Sequence, residues 1–166
     1  MRIVVLVVCV MMSMGGAMQP ANAAEKDVYA LVARLVKAVP FTRAKIEEVF
    51  ATTLVLENEN DSVHFYAGDG GVLADGTRIE GIDLRLAKPS NPKLAGGFLV
   101  LKLADSCVGV TELMAQYAGL EPSFGAHAHA LPEQWYVVQR EGVSVHFGVD
   151  KKAQCLTAIS FDPDGR

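Results

Sequence analysis

The strongest constraint on this fold is how closely its strand-like segments follow one another. Ile82, Leu84 and Leu86 alternate with Asp83 and Arg85, the period-two pattern of a strand with one buried and one wet face. Near the C-terminus three more runs follow, Trp135 to Gln139, Val143 to Phe147 and Cys155 to Phe161. Glu141-Gly142 separates the first two, and Asp150-Lys151-Lys152 lies between the last two. Connections this short cannot carry the crossover that a parallel pair needs, so the sheet is expected to be antiparallel. Val63 to Ala67 and Phe98 to Leu103 read as further strands, with turns at Gly68 to Gly71 and at Asp75-Gly76. Trp135 is expected to pack in the core.

Three segments switch to helical spacing. Within 26–38, Val28, Leu31, Val32, Leu35 and Val36 form one apolar stripe, which Pro40 ends. Thr42 is a suitable N-cap for a second helix that buries Ile46, Val49 and Phe50. Asp105-Ser106 is expected to cap a third, with the stripe Val110, Leu113, Met114 and Tyr117 and a stop at Gly119. Glu57 to Asp61 reads as a polar break, and Lys88 to Lys93 and Glu121 to Glu133 as loops. The order of helices, strands, helix and strands predicts an α+β fold, an antiparallel sheet flanked by helices. The pattern also reads as one helix-plus-strands unit used twice, at 40–87 and 106–161.

Residues 1–23 read as a cleaved secretory signal peptide. Arg2 is followed by an uncharged apolar run from Ile3 to Met12, helix breakers at Gly15-Gly16 and Pro20, and Ala21-Asn22-Ala23 as the cleavage signal. The apolar core is shorter than the roughly 20 residues a membrane anchor needs. Cys9 sits inside that core behind the bulky Val8, which is no place for a lipidated cysteine. One mature domain, 24–166, is left, expected in the periplasm or outside the cell, with no membrane insertion after cleavage. It is long enough for a real core.

Charge narrows the partners. Acids outnumber bases 19 to 15, and one of those bases, Arg2, belongs to the leader. A nucleic-acid binder would need a basic face, so that class is disfavoured and a basic protein partner favoured. The mature chain keeps Cys107 and Cys155, and two thiols in an oxidising compartment most simply form one disulfide. Closing a loop of about 48 residues contributes roughly 4 kcal/mol in the chain-entropy account.

Candidate chemistry is sparse. His127 and His129 stand two apart in Gly125 to Ala130, so an extended segment points both rings to one side, half of a metal site with Glu133 as a further candidate. The competing readings are an exposed loop or a partner-contacting loop, and no metal or cofactor is assigned. Asp105-Ser106-Cys107 before a helix, with His146 on a later strand, loosely resembles cysteine peptidases that cut peptidoglycan peptides. Their Asp-Cys-Ser-Gly run is absent, and Cys155 offers Cys107 a bonding partner. Asp69-Gly70-Gly71 and Asp75-Gly76 lack EF-hand spacing and read as turns.

Gly109-Val110-Thr111 opening a helix, Gly119-Leu120-Glu121-Pro122 closing it and Trp135-Tyr136 on a strand resemble the β-lactamase inhibitor protein family. The order at 119–122 departs from that family's usual helix end, and 40–87 lacks the Gly and the Trp. The related lipoprotein components of outer-membrane assembly share the single unit. The resemblance implies a concave sheet whose loops seize a partner enzyme. The expected function is therefore a non-enzymatic inhibitor of a cell-wall-degrading enzyme. It would be an immunity protein against a type VI secreted amidase or muramidase, or an inhibitor of host lysozyme. An envelope-assembly module and the Cys107/His146 amidase are the alternatives. Phe124, His127 and His129, between Pro122 and Pro132, are expected to contact the partner, with Asp69 and Asp75 as a second, acidic contact.

Overall fold

A computed structural model describes residues 25–90, 95–105, 107–123 and 132–163. Helix α1 (Val28–Lys37) places all five residues of its predicted stripe in the core. Asp27 caps it by accepting from the Ala30 amide at 2.8 Å. Helix α2 (Arg43–Phe50) starts at Thr42, whose hydroxyl accepts from the Lys45 amide at 3.3 Å. Ile46 is fully buried, and Val49 and Phe50 pack partly against the core.

Strands β1 (Val55–Glu59), β2 (Val63–Gly68), β3 (Gly71–Val72), β4 (Arg78–Ala87) and β5 (Phe98–Ala104) follow. Then come α3 (Val110–Gln116) and strands β6 (Glu121–Ser123), β7 (Glu133–Arg140), β8 (Val143–Asp150) and β9 (Leu156–Asp162). All of them join one antiparallel sheet in the order β1-β2-β4-β5-β9-β8-β7-β6, with the short β3 paired to β4. The chain thus lays down one meander, β1-β2-β4-β5, and a second, β6-β7-β8-β9, and the last strand of each pairs with the other. Glu141 (φ 50°) and Gly142 (φ 83°) make the two-residue turn between β7 and β8, whose positive φ values suit the twist of the flanking strands.

Register explains the core. Tyr66, Leu84, Leu99, Phe161, Val145 and Val138 form one row across six strands. Ile82, Leu101, Ile159, Phe147 and Tyr136 form the next. Side chains from the helices and the residues flanking them close over these rows: the Tyr117 ring lies 5.0 Å from Phe147, Phe41 lies 6.1 Å from Phe161, and Tyr29 lies 6.0 Å from Tyr117. Helices therefore cover one face of the sheet. Among the described residues no helix is long and apolar enough to cross a membrane.

Several expectations need correction. The polar break at Glu57 to Asp61 contains most of β1, which forms although all five of its residues are exposed, because an edge strand needs only one partner. Glu121 to Ser123 is strand β6 and not loop, since its backbone pairs with Trp135 to Val137. Asp105 does not cap α3. Gly109 is the N-cap and makes no side-chain cap bond, while Asp105 turns back to Arg78 at 3.1 Å. Met114 is 50% exposed, because α3 makes only two turns and reaches the core through Leu113 and Tyr117.

Cys107 and Cys155 are bonded, tying the segment before α3 to the start of β9. The Leu156 amide donates to the Val108 carbonyl beside the bond. Replacing both cysteines by Ala is expected to lower stability by about 4 kcal/mol, from loop-closure entropy. Urea unfolding of the non-reduced protein measures this; an unchanged midpoint would count against it.

Candidate functional site

The sheet face turned away from the helices gathers the side chains best placed for function. One register row crosses eight strands: Val55, Ala67, Asp83, Val100, Ser160, His146, Val137 and Glu121. On one side of it Phe65, Arg85 and Phe98 stand in register, as do Asp162, Ser144 and Gln139 on the later strands. On the other side run Gly81, Lys102, Ala158, Gly148, Trp135 and Ser123.

Arg85 is the most constrained cation of this face. Its Nη2 lies 2.6 Å from Asp83 Oδ2. Its Cζ lies 5.8 Å from the Phe65 ring centre and 5.3 Å from that of Phe98. A guanidinium held between two rings and paired with a carboxylate has little rotamer freedom left to lose on contact with another molecule. The sequence showed Asp83 and Arg85 as the wet positions of a strand. It did not show the rings on β2 and β5 that register sets beside Arg85.

Trp135 is not a core residue. Tyr136 and Val138 face the helices, so the alternation of β7 turns Trp135 to the open face, where it is half-buried. Its ring lies over Gly148, where an added Cβ would stand 2.9 Å from the indole Cζ2. Gly148 therefore makes room for the indole to lie down across the strand.

Between these landmarks is a polar centre. Ser144, Ser160 and Asp162 are nearly buried although no helix among the described residues covers them, Asp162 being only 4% exposed. Gln139 Nε2 donates to Ser144 Oγ at 2.7 Å. His146 stands between Val137 and Ser160, and burial holds its imidazole below the ordinary histidine pKa, with Asp162 opposing.

The other predicted residues fall apart from this cluster or outside it. The sulfur of Cys107 is bonded to Cys155, and a disulfide sulfur is not the free thiolate that a nucleophile needs. Asp75 is occupied in its turn: Oδ1 accepts the Thr77 amide at 2.8 Å and its own amide donates to Lys26. Asp69, by contrast, lines a groove on the open face. Phe124, His127 and His129 lie outside the described residues.

Compared with known protein families, with curated proteins and with solved structures, the chain matches none.

Two outcomes are expected. Because the folded state disfavours charge on His146, its contribution to stability is full above the unfolded pKa of about 6.5 and is lost as pH falls through the folded value. Thermal unfolding between about pH 7 and 5 should show that loss, and His146→Gln should flatten it. Separately, Gly148→Ala should push the indole off the strand and shift the emission of the single tryptophan, with little change in far-UV circular dichroism.

Proposed function

We propose that this protein is a secreted, periplasmic inhibitor that binds and neutralises a cell-wall-degrading enzyme, and that the open face of the sheet is its contact surface. The observation carrying this reading is Arg85, fixed between Phe65 and Phe98 on a face that no described helix covers. Arg and aromatic anchors that are already ordered are the residues that dominate protein interfaces. Trp135, laid flat over Gly148 at the far side, is a second anchor of the same kind.

Other features support the reading. The bonded Cys107–Cys155 pair is compatible with an oxidising compartment, as the leader-like residues 1–23 require. An excess of acids suits a basic hydrolase. The strand order supports a duplicated unit, a helix followed by a four-strand meander, with the last strands paired at the centre. On that reading the first unit extends through β5 to Ala104, beyond the 87 expected from sequence. This is the arrangement implied by the resemblance to the β-lactamase inhibitor proteins. The enzyme belongs to one of two classes, a type VI secreted amidase or muramidase, or a host lysozyme.

The test is capture on the mature chain from envelope and secreted fractions, followed by assay of the captured enzyme on peptidoglycan. The protein is expected to suppress that hydrolysis. Arg85→Ala should weaken binding at least about tenfold, near 1.4 kcal/mol. A captured hydrolase that stays fully active, or that binds Arg85→Ala equally well, rejects the assignment.

A further inference from the structure

The open face is not uniform. Over the first meander it sinks into a groove with a volume of about 840 Å³, running from the β1 edge across β2 and β4 to β5. The depression has a cause in sequence: small residues, Ala67 and Gly81, occupy floor positions between larger neighbours. Phe65 and Val100 supply apolar surface inside it, and Val55 at its outer end is 63% exposed. Leu56, beside it on the same edge strand, is 45% exposed.

The groove is also electrostatically one-sided. Glu57, Asp69, Glu80 and Asp83 line it against a single cation, Lys102. Glu80 and Asp83 are held by Arg78 and Arg85 at 2.9 and 2.6 Å. Glu57 and Asp69 have no ion pair among the described residues. An occupant that is itself acidic would be repelled, and a purely apolar one would strip water from two carboxylates without replacing it. A second copy of this chain is an ill-matched occupant, since the chain carries a net charge of −4 before the leader base is lost.

We infer that this groove seats an extended basic segment of the protein partner, with alternating cationic and apolar side chains. The cations meet Glu57 and Asp69, and the apolar groups rest on Val55, Phe65 and Val100. This deepens the inhibitor reading and rests on it for the identity of the partner. Both kinds of side chain are required because carboxylates and apolar surface line the groove together, and an alternating extended chain presents its cations on one side and its apolar groups on the other.

The probe is a capped hexapeptide of alternating Lys and Val, titrated into the 15N-labelled chain lacking residues 1–23, with the Glu-Val hexapeptide as control. The Lys-Val peptide is expected to shift amides of 55–58, 65–69, 80–83 and 100–102, and the control to leave them unmoved. Glu57→Lys combined with Asp69→Lys should weaken that binding at least tenfold while leaving the remaining amide spectrum in place. Both residues lie outside the buried core, so the fold tolerates the change. Equal shifts with both peptides, shifts confined to another surface, or a groove already filled by self-association in the free protein would each overturn the inference. The captured hydrolase separates the two readings. If it binds the double variant as tightly as the native chain, the groove assignment fails and the inhibitor reading stands. If no hydrolase is captured yet the Lys-Val peptide seats in the groove, the inhibitor reading fails and the groove stands.

Discussion

Everything in this fold depends on the pairing of β5 with β9. Leu99 to Lys102 face Ala158 to Phe161 in unbroken antiparallel register. That short ladder joins a meander made early in the chain to one completed at its end. Without it each half would be a small separate sheet with an extra open edge and half a core. With it, Leu99 and Leu101 from one half and Phe161 and Ile159 from the other form continuous apolar rows under the helices. Contacts so far apart in sequence carry a large loop-closure cost, and the Cys107–Cys155 bond reduces it by fixing the start of β9 to the segment that follows β5.

One-sided burial follows from the same arrangement. The described helices and the Phe41 connection cover one face, and the alternation of the strands commits the residues between to the other. That face is not simply wet. It holds a guanidinium between two rings, an indole flattened on a glycine, and a centre of Ser144, Ser160 and Asp162 that is nearly closed to solvent. Burying such groups costs free energy unless they are partnered, and here Gln139 bonds Ser144 and Asp83 pairs with Arg85.

Much of the architecture was legible in the residues. The α1 stripe, the Thr42 cap, the Glu141-Gly142 turn and the antiparallel sheet all follow from local periodicity and turn chemistry, which tertiary context here reinforces. The failures were equally physical. β1 and β6 carry no apolar alternation because edge strands are held by backbone pairing more than by side-chain burial. Asp105 looked like a cap, but Arg78 on the neighbouring strand offers it a full charge in place of an amide. Of the residues expected to contact a partner, Asp69 lies on the groove and Asp75 accepts the Thr77 amide in its own turn.

The sequence by itself determined the helices and the apolar, alternating strands, that the strands run antiparallel, and that Cys155 is the partner open to Cys107 outside residues 1–23. Each of these is a property of spacing or count, readable without knowing what lies opposite. Tertiary structure alone decided the strand order, and with it the functional surface. Alternation states that one face of β4 is buried and the other exposed, but it cannot say which strands flank it. Only the long-range register puts Phe65 and Phe98 on either side of Arg85, turns Trp135 outward onto Gly148, and sinks a groove over Ala67 and Gly81.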